Sequence, residues 1–415
     1  MAELIDQEHN KVVIININPK ASSGRLIDQN EKANCNNINE HNHDEHSYNK
    51  LEIIDANNQA VKIHILTYNF FCRPPPIKTN ESDYKDARLT DFLEKIENFD
   101  IICFQELFTT FNDRKHKMIC EASKRGLKYY IAGRVPSFFS KYLVDSGLLI
   151  ISRYPIIEND FYEYYINILG DSPTNKGVLY AKIEIKKNAY LFLFNTHLQS
   201  TYFDDTPENI DLTIQIRTKQ TEELINYIYN KILSIPKNEI KNGKIILVGD
   251  FNIDAHDNIF VKEKFNIPKY KYTEYDILCK KLNKLGQAID LMKKKYNKHL
   301  YTFGDNDIEQ EHDQVLTGKA DFNMKQTFDY IWEIIPDFNL EIYNALNDNN
   351  KEDEKNYNEN DNNKEDENND NDNNNNKNII EVLYDTLNVE KFLIRDRPYQ
   401  QLSDHFGVSV HLKAL

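Results

Sequence analysis

Short apolar runs with the hydrophobic pattern of β-strands recur along this chain, and they limit its fold more than any other feature. They predict strands at Val61–Asn69, Asp100–Phe104, Ser146–Ser152, Val178–Ile185, Tyr190–Thr196, Lys244–Gly249, Phe328–Ile334 and Phe406–Leu412. Helical periodicity is found mainly at Asp83–Asn98 and Asp211–Ile232. Many strands with few helices between them favour an α/β class in which two sheets pack face to face under outer helices.

Two polar segments interrupt this pattern. Residues 1–55 are expected to be mostly disordered, because the stretch 27–50 is dominated by Asn, Asp, Glu and His and cannot bury enough apolar surface to offset the entropy of ordering. Residues 346–378 are almost entirely Asn, Asp, Glu and Lys, which is a low-complexity composition. Patterned sequence resumes at Ile379, so this segment is predicted to be an insertion within one domain of residues 56–415.

The formal net charge of −15 bears on the class of partner. From Asp348 to Lys377 there are 11 acidic residues and 4 lysines, which leaves −7 in that stretch and −8 in the rest. Proteins that bind nucleic acid through its phosphates usually present a basic surface. No nucleic acid partner is therefore expected.

No segment has the length and apolarity of a signal-peptide core or a membrane span. Met1–Asn10 contains no apolar core, and nowhere do about 18 uncharged apolar residues run together. Membrane contact is therefore expected to be peripheral, and the expected location is intracellular. The aromatic stretch Ser137–Leu143 is a candidate for such contact, although a loop rich in Phe and Tyr is equally typical of core packing.

Several polar residues directly follow the strand-like runs, where a rigid sheet would deliver side chains into a cleft. They are Asn69, Glu106, His197, Asp250, Asn252, Asp404 and His405. Carboxylate and amide oxygens suit a hard cation such as Mg²⁺ or Mn²⁺, and imidazoles supply acid, base or phosphate hydrogen bonds. Each residue alone would be typical of a turn or a cap, but their joint occurrence favours a hydrolytic phosphate site.

The motifs "FQE", "NTHLQS", "GDFN" and "SDHFGV" resemble those of the endonuclease/exonuclease/phosphatase superfamily, which includes DNase I. The resemblance extends from about Lys62 to Leu412, apart from the insertion. It implies a four-layer αββα sandwich of two packed, mostly antiparallel sheets, with a metal site at one edge of both.

Other stretches resemble the neutral sphingomyelinases within that superfamily. They are "DSGLLIISRYPI", "NKGVLYAKI", "THLQS" and the predicted helix beginning "RTKQTEEL". Asp171 and Lys176 also resemble a paired Asp and Lys, five residues apart, in a loop near the active site of eukaryotic members. An exposed ion pair without a catalytic role is the alternative interpretation of these two residues.

The resemblance also implies the role of each residue. Glu106 would be the principal metal ligand, helped by Asn69, with Mg²⁺ as cofactor and Mn²⁺ as a substitute. His405 would be the general base, oriented by Asp329, with Asp404 close to the metal.

The remaining residues would act on the nucleophile and the phosphoryl group. Asp250 and Asn252 would position both, and His197, oriented by Asp145, would hydrogen-bond a phosphoryl oxygen. An Arg that often precedes the "DYI" segment in the superfamily is absent here, which leaves the support of Asp329 open.

The activity implied is the hydrolysis of sphingomyelin to ceramide and phosphocholine, with lysophosphatidylcholine, which carries the same headgroup, as a further candidate substrate. The substrate would be a choline phospholipid of a membrane. A nuclease or an inositol polyphosphate phosphatase on the same fold is the alternative, because the metal site is shared. The sequence predicts no oligomeric state.

Overall fold

Two six-stranded sheets form the framework of the chain, according to a computed structural model that describes residues 60–79, 82–136, 140–201, 206–256, 273–304, 316, 325–337 and 379–415. The predictions made for residues 1–55 and 346–378 lie outside the described residues, and so do residues 137–139 of the aromatic stretch that is a candidate for membrane contact. The strands are β1 (Val61–Cys72), β2 (Ile101–Leu107), β3 (Tyr129–Ala132), β4 (Leu149–Ser152), β5 (Ile156–Glu163), β6 (Gly177–Lys186), β7 (Ala189–His197), β8 (Lys244–Asp250), β9 (Gly286–Asp290), β10 (Asp329–Pro336), β11 (Ile380–Glu390) and β12 (Gly407–Ala414).

Most helices of the described residues pack on the outer faces of these sheets, whereas the last one packs against the core that the sheets share. The helices are α1 (Lys85–Leu93), α2 (Arg114–Lys124), α3 (Pro207–Ser234), α4 (Lys237–Lys241), α5 (Glu274–Leu282) and α6 (Leu291–Tyr296). The long helix α3 begins where Pro207 occupies the first turn and the Thr206 side chain accepts a hydrogen bond from the Asn209 backbone N–H, which caps the helix. Among the described residues no helix is long and apolar enough to cross a membrane.

Each sheet is built around one parallel pair of strands. The first has the order β11-β12-β1-β2-β4-β3 and the second the order β5-β6-β7-β8-β10-β9. Only the pairs β1/β2 and β7/β8 are parallel, and the other pairings of the described strands are antiparallel. The predicted fold class, with two mostly antiparallel sheets, is confirmed.

Successive side chains along a central strand point into two different layers of the hydrophobic core. On β7, Leu191 and Leu193 belong to the core that the two sheets share, whereas Phe192 and Phe194 lie in a second core under α3 and α5. The outer face of the first sheet packs likewise under α1 and α2. Burial on both faces explains why the central strands read as nearly continuous apolar runs.

The parallel pairs decide where a functional site can form. The carboxyl ends of β1 and β2 meet at one edge of the first sheet, and β12, antiparallel to β1, begins at that edge. In the second sheet the ends of β7 and β8 and the beginning of β10 meet in the same way. Polar residues that follow or precede these strands are therefore brought together.

Strands with a weak hydrophobic pattern were not predicted from the sequence. The short strand β3 and the half-exposed strand β5 show little of the apolar periodicity of a central strand. The predicted helix Asp83–Asn98 is shorter, because it consists of α1 followed by a 3₁₀ turn at Ile96–Asn98. Neither difference moves the residues at the strand ends.

Candidate active site

One edge of the sandwich collects the polar residues predicted from the strand ends. The first sheet contributes Asn69, Glu106, Asp404 and His405, and the second contributes His197, Asp250, Asn252 and Asp329. Asp250 is the register partner of both His197 on β7 and Asp329 on β10. Residues up to 336 positions apart in sequence thus meet at one point.

Asp250 lies at the centre of this cluster. Its Oδ2 accepts a hydrogen bond from Asn69 Nδ2 at 2.9 Å and lies 3.5 Å from His197 Nε2 and 3.8 Å from His405 Nε2. Its Oδ1 accepts from the backbone N–H of Asn252 at 2.8 Å. Asp250 is thus held between the two imidazoles, with one oxygen facing both.

Asn69 connects the carboxylates of the two sheets. Its Nδ2 also donates to Glu106 Oε1 at 3.2 Å, and its Oδ1 accepts from the Phe71 backbone N–H at 3.0 Å. The amide nitrogen therefore faces Glu106 and Asp250. For Asn69 to act as a metal ligand through its oxygen, the amide would have to turn over, an orientation that heavy-atom positions distinguish poorly.

His405 is held by a buried carboxylate. Its Nδ1 lies 2.8 Å from Asp329 Oδ2, and because an ionised carboxylate only accepts, Nδ1 carries the proton and donates. The backbone N–H groups of Phe328 and Asp329 both donate to Thr302 Oγ1, at 3.0 and 3.1 Å. Thr302 therefore anchors the backbone of Asp329, the residue whose local support the sequence left open.

Two carboxylates near His405, those of Asp250 and Asp404, are destabilised in their charged form. Burial raises the pKa of Asp250 above its usual range and that of Asp404 to about 7. Burial alone would lower the pKa of His405, but the carboxylates of Asp329, Asp250 and Asp404 outweigh it and raise that pKa to about 10. Burial thus opposes charge on Asp250 and Asp404, whereas the neighbouring carboxylates favour the imidazolium form of His405.

His197 has the opposite electrostatic environment. Burial and the neighbouring Lys176 ammonium lower the pKa of His197 well below its ordinary value. Lys176 Nζ lies 3.0 Å from His197 Nε2. Because an ammonium can only donate, Nε2 accepts, and the proton of the neutral ring lies on Nδ1.

Lys176 is buried in the wall of the site. Its Nζ lies 2.9 Å from Asp171 Oδ2 and donates to the Leu198 carbonyl at 2.6 Å. Asp171 Oδ2 also accepts from the Ser200 backbone N–H at 2.8 Å. The alternative of an exposed ion pair is therefore wrong, because both side chains are nearly fully buried and one of them contacts His197.

The expected support of His197 by Asp145 is also wrong. Asp145 forms a buried ion pair with Lys115 at 2.5 Å and accepts from the Thr109 backbone N–H at 2.8 Å. The Lys115 ammonium holds the pKa of Asp145 below its usual range despite the burial. Asp145 therefore fixes the connection that follows Glu106, and it is Lys176, together with Asp250, that lies beside His197.

The backbone is strained where the site residues emerge. Glu106 and Asn252 have left-handed backbones, with φ of 53° and 51°, which are uncommon for residues other than glycine. Gly249, just before Asp250, has φ of 146°, and a Cβ there would lie 2.0 Å from the Thr196 carbonyl oxygen. Only glycine lets β8 approach β7 closely enough to place Asp250 beside His197.

Sequence reasoning missed a polar link between the sheets beneath the site. Gln105 Nε2 donates to Asn195 Oδ1 at 2.6 Å, and Asn195 Nδ2 donates to the Phe104 carbonyl at 3.0 Å. Gln105 precedes Glu106, and Asn195 lies two positions before His197. The available signal was that both occupy positions in phase with the buried apolar residues of their strands.

A buried arginine was missed for a different reason. Arg88, on α1, donates to the carbonyls of Phe70 at 3.0 Å, Phe71 at 2.7 Å and Leu402 at 2.6 Å, and also to Asp83. It thereby ties the turn after Asn69 to the segment before Asp404. An isolated Arg in an amphipathic helix carries no sequence signal for such a role.

The second sheet has a related support. Arg217, on α3, donates to the Gln199 carbonyl at 2.9 Å and makes a two-pronged ion pair with Glu274. Gln220 accepts from the Gln199 backbone N–H at 2.8 Å and donates to Asn167 at 2.8 Å. The motif beginning "RTKQTEEL" thus supports the segment after His197.

The site has the donor chemistry of a hard cation. Ligand atoms of Glu106, His197 and Asp250 lie within 4.8 Å of one another. Glu106 is the more open carboxylate, with 15% of its side chain exposed against 1% for Asp250. A bound cation would relieve the cost of ionising Asp250 and Asp404, whose pKa values are raised, so the residues present fit a hard divalent cation.

Known proteins share this fold and these motifs. The model of the endonuclease/exonuclease/phosphatase family matches residues 66–268, a range that contains Asn69, Glu106, His197, Asp250 and Asn252. The chain resembles this family over about half of its length, and it is a hydrolase.

Its relatives include sphingomyelinases. The chain is 28% identical over 370 residues to a sphingomyelinase of Dictyostelium discoideum, covering 81% of this chain and 76% of the relative. It is 25% identical over 238 residues to sphingomyelinase C of Bacillus cereus, covering 55% of this chain and 65% of the relative. The crystal structure of sphingomyelinase C from Streptomyces griseocarneus aligns with a TM-score of 0.51 at 15% identity, over 85% of this chain and 99% of that chain, which establishes the shared fold.

Proposed function

We propose that this chain is a Mg²⁺-dependent phosphodiesterase of the phospholipase C type that hydrolyses sphingomyelin to ceramide and phosphocholine. The observation that carries the proposal is the convergence of Glu106, Asn69, Asp250 and two imidazoles at one edge of the sandwich. The sphingomyelinase relatives support the lipid class of the substrate. Mn²⁺ would substitute for Mg²⁺, and lysophosphatidylcholine, with the same headgroup, would be a second substrate.

The base in this scheme is His405. With Nδ1 held by Asp329, its Nε2 points toward Asp250 and would take the proton from the attacking water. Asp250 and Asn252 would orient that water and the phosphoryl group. A bound Mg²⁺ would supply a Lewis acid for a phosphoryl oxygen and the leaving alkoxide, and its charge would offset the carboxylates that raise the pKa of His405.

The bond changes balance without a further reactant. The oxygen of water forms a bond to phosphorus, and the bond from phosphorus to the ceramide oxygen breaks in line with it. His405 would take the proton of the water, and the leaving ceramide oxygen would take up a proton from solvent. Ceramide would leave as a neutral alcohol and phosphocholine as the phosphate monoester, and His405 would return its proton to solvent.

Lys176 would control His197. While Lys176 donates to His197 Nε2, that atom cannot donate to a phosphoryl oxygen. If Lys176 moved onto the substrate phosphate, His197 Nε2 would be released and could take a proton, so that both would hydrogen-bond the phosphoryl group as its charge develops. Asp171 would hold Lys176 in the resting position between turnovers.

The alternative is a nuclease or an inositol polyphosphate phosphatase, since the same donor set would serve either. The net charge of −15 counts against substrates with several phosphates. The chain would act as a peripheral protein on an intracellular membrane.

The test is a direct comparison of substrates. Purified protein is incubated with headgroup-labelled sphingomyelin, lysophosphatidylcholine, abasic DNA and an inositol polyphosphate, each with Mg²⁺ and with EDTA. Release of labelled phosphocholine with Mg²⁺ alone is the expected result. Cleavage of DNA or release of inorganic phosphate, without hydrolysis of the lipids, would contradict the proposal and favour a nuclease or an inositol polyphosphate phosphatase.

Two variants test the role of the buried pair. Lys176→Ala and Asp171→Ala should each greatly reduce sphingomyelin turnover in detergent micelles while leaving metal affinity unchanged. Lys182→Ala is the matched control, because Lys182 lies on β6 and pairs with Glu239 at 2.6 Å away from the site. Normal turnover in both test variants would contradict the assignment of the chain to the sphingomyelinases within its superfamily.

A further inference from the structure

The most exposed large apolar side chains of the described residues are gathered at the edge that carries the active site. Phe111 is 86% exposed, Tyr165 is 80% exposed and Leu143 is 77% exposed. Each lies on a different connection between strands or helices, and each connection leaves or enters a sheet at that edge. Phe111, Leu143 and Tyr165 are called the apolar rim below.

The rim is next to the catalytic residues in the fold. Phe111 lies five positions after Glu106, on the connection that follows β2. Tyr165 lies on the connection between β5 and β6, which also contains Asp171 and Lys176. The rim therefore borders the site on the side of the buried Lys176.

Hydrogen bonds join the three connections into one surface. Asp145 accepts from the backbone of Thr109, which fixes the connection of Phe111 to that of Leu143. The Leu143 backbone N–H donates to the Pro173 carbonyl at 2.8 Å. Lys141 Nζ donates to the Tyr165 carbonyl at 2.6 Å and lies 5.3 Å from its ring centroid.

This arrangement maintains exposed apolar groups where folding alone would not favour them. Phe111 has a left-handed backbone with φ of 57°, an uncommon and unfavourable conformation for a bulky residue. Its ring gains little burial in return. Exposed apolar side chains on a shared surface are typical of a binding surface.

We infer that the apolar rim inserts into the headgroup region of a zwitterionic, choline-phospholipid bilayer and so places the active site over its substrate. Aromatic and aliphatic side chains with a lysine beside them suit the boundary between headgroups and acyl chains. The net charge of −15 argues against a strongly anionic surface. The choice of lipid rests on the proposed function, whereas the position of the rim does not.

The opposite edge of the sandwich provides a matched control. The helix α3 starts near the active site and runs away from it, so Leu233 in its last turn lies at the far edge. Leu233 is 53% exposed. Replacing it removes a comparable apolar group without touching the rim.

The experiment compares wild type, Phe111→Ser/Leu143→Ser, Tyr165→Ser and Leu233→Ser. Co-sedimentation with phosphatidylcholine and sphingomyelin vesicles measures binding, and hydrolysis is followed both in vesicles and with a water-soluble phosphocholine ester. Tyr165→Ser should bind vesicles roughly tenfold more weakly and the double variant roughly a hundredfold, because each apolar side chain that is buried in the bilayer contributes about a factor of ten. Vesicle turnover should fall in proportion. Turnover of the soluble ester, and all properties of Leu233→Ser, should remain at the wild-type level.

The other outcomes overturn the inference or separate it from the proposed function. Unchanged vesicle binding in the rim variants would refute the docking surface, as would an equal loss in Leu233→Ser. Stronger binding on adding phosphatidylserine would contradict the zwitterionic partner. Vesicle binding that depends on the rim, without hydrolysis of any choline lipid, would sustain the docking surface while the proposed function fails. Rim-dependent dimers that do not bind vesicles would assign the rim to a second copy of the chain.

Discussion

Replacing Arg88 with Met should destabilise the chain and its active site together. Arg88 is fully buried and donates to four backbone carbonyls, those of Asp83, Phe70, Phe71 and Leu402. A buried acceptor left without its donor costs about 1–3 kcal/mol, so the loss for all four is at least about 4 kcal/mol before relaxation. That is a large part of the roughly 5–15 kcal/mol that stabilises a typical domain.

The assay is urea unfolding followed by circular dichroism, with phosphodiesterase activity measured below the unfolding transition. Leu89→Ala is the control, because Leu89 is a buried neighbour on α1 whose truncation costs about 2–5 kcal/mol through packing alone. Arg88→Met should lose kcat even while folded, since Phe70, Phe71 and Leu402 adjoin the segments that carry Asn69 and His405. A loss below about 1 kcal/mol, or the same kcat loss in Leu89→Ala, would refute this reasoning.

Three further predictions concern the base, the metal and the pH dependence of stability. His405→Ala should lower kcat by about 10²- to 10⁴-fold with an unchanged circular dichroism spectrum, and a soluble variant within twofold of wild type would assign the base to another residue. Dialysis against EDTA should abolish turnover and Mg²⁺ or Mn²⁺ should restore it, because the ligand set consists of exchangeable oxygen donors; full activity after chelation would contradict this. Burial, with His64 stacked on it at 4.0 Å, lowers the pKa of His411 to about 4. Below about pH 6.5, the ordinary pKa of a histidine, His411 binds a proton more readily in the unfolded chain than in the folded one. The stability that the neutral His411 ring allows is therefore fully present above about pH 6.5 and is lost as the pH falls toward 4. Urea unfolding should show that His411→Gln weakens this acid dependence, and parallel pH profiles for variant and wild type would contradict it.

Much of the fold could be predicted from the sequence because its central strands are buried on both faces. The runs that became β1, β2, β7 and β8 are nearly continuous apolar segments, and each is followed by a polar residue. The edge strands were missed because a half-exposed strand such as β5 carries mixed polarity. The local hydrophobic pattern thus predicts which strands are buried, but it does not predict which strands pair with one another.

The sequence by itself also determined which residues at the strand ends could act in catalysis or bind a metal, because the carboxylates and imidazoles that follow the apolar runs can be identified directly. Tertiary structure alone decided the partners of Asp145 and His197. Asp145 follows the expected motif spacing but pairs with Lys115, while Lys176, from another connection, reaches His197. Such pairings depend on the packing of two sheets and their outer helices, and separation along the chain carries no information about those distances.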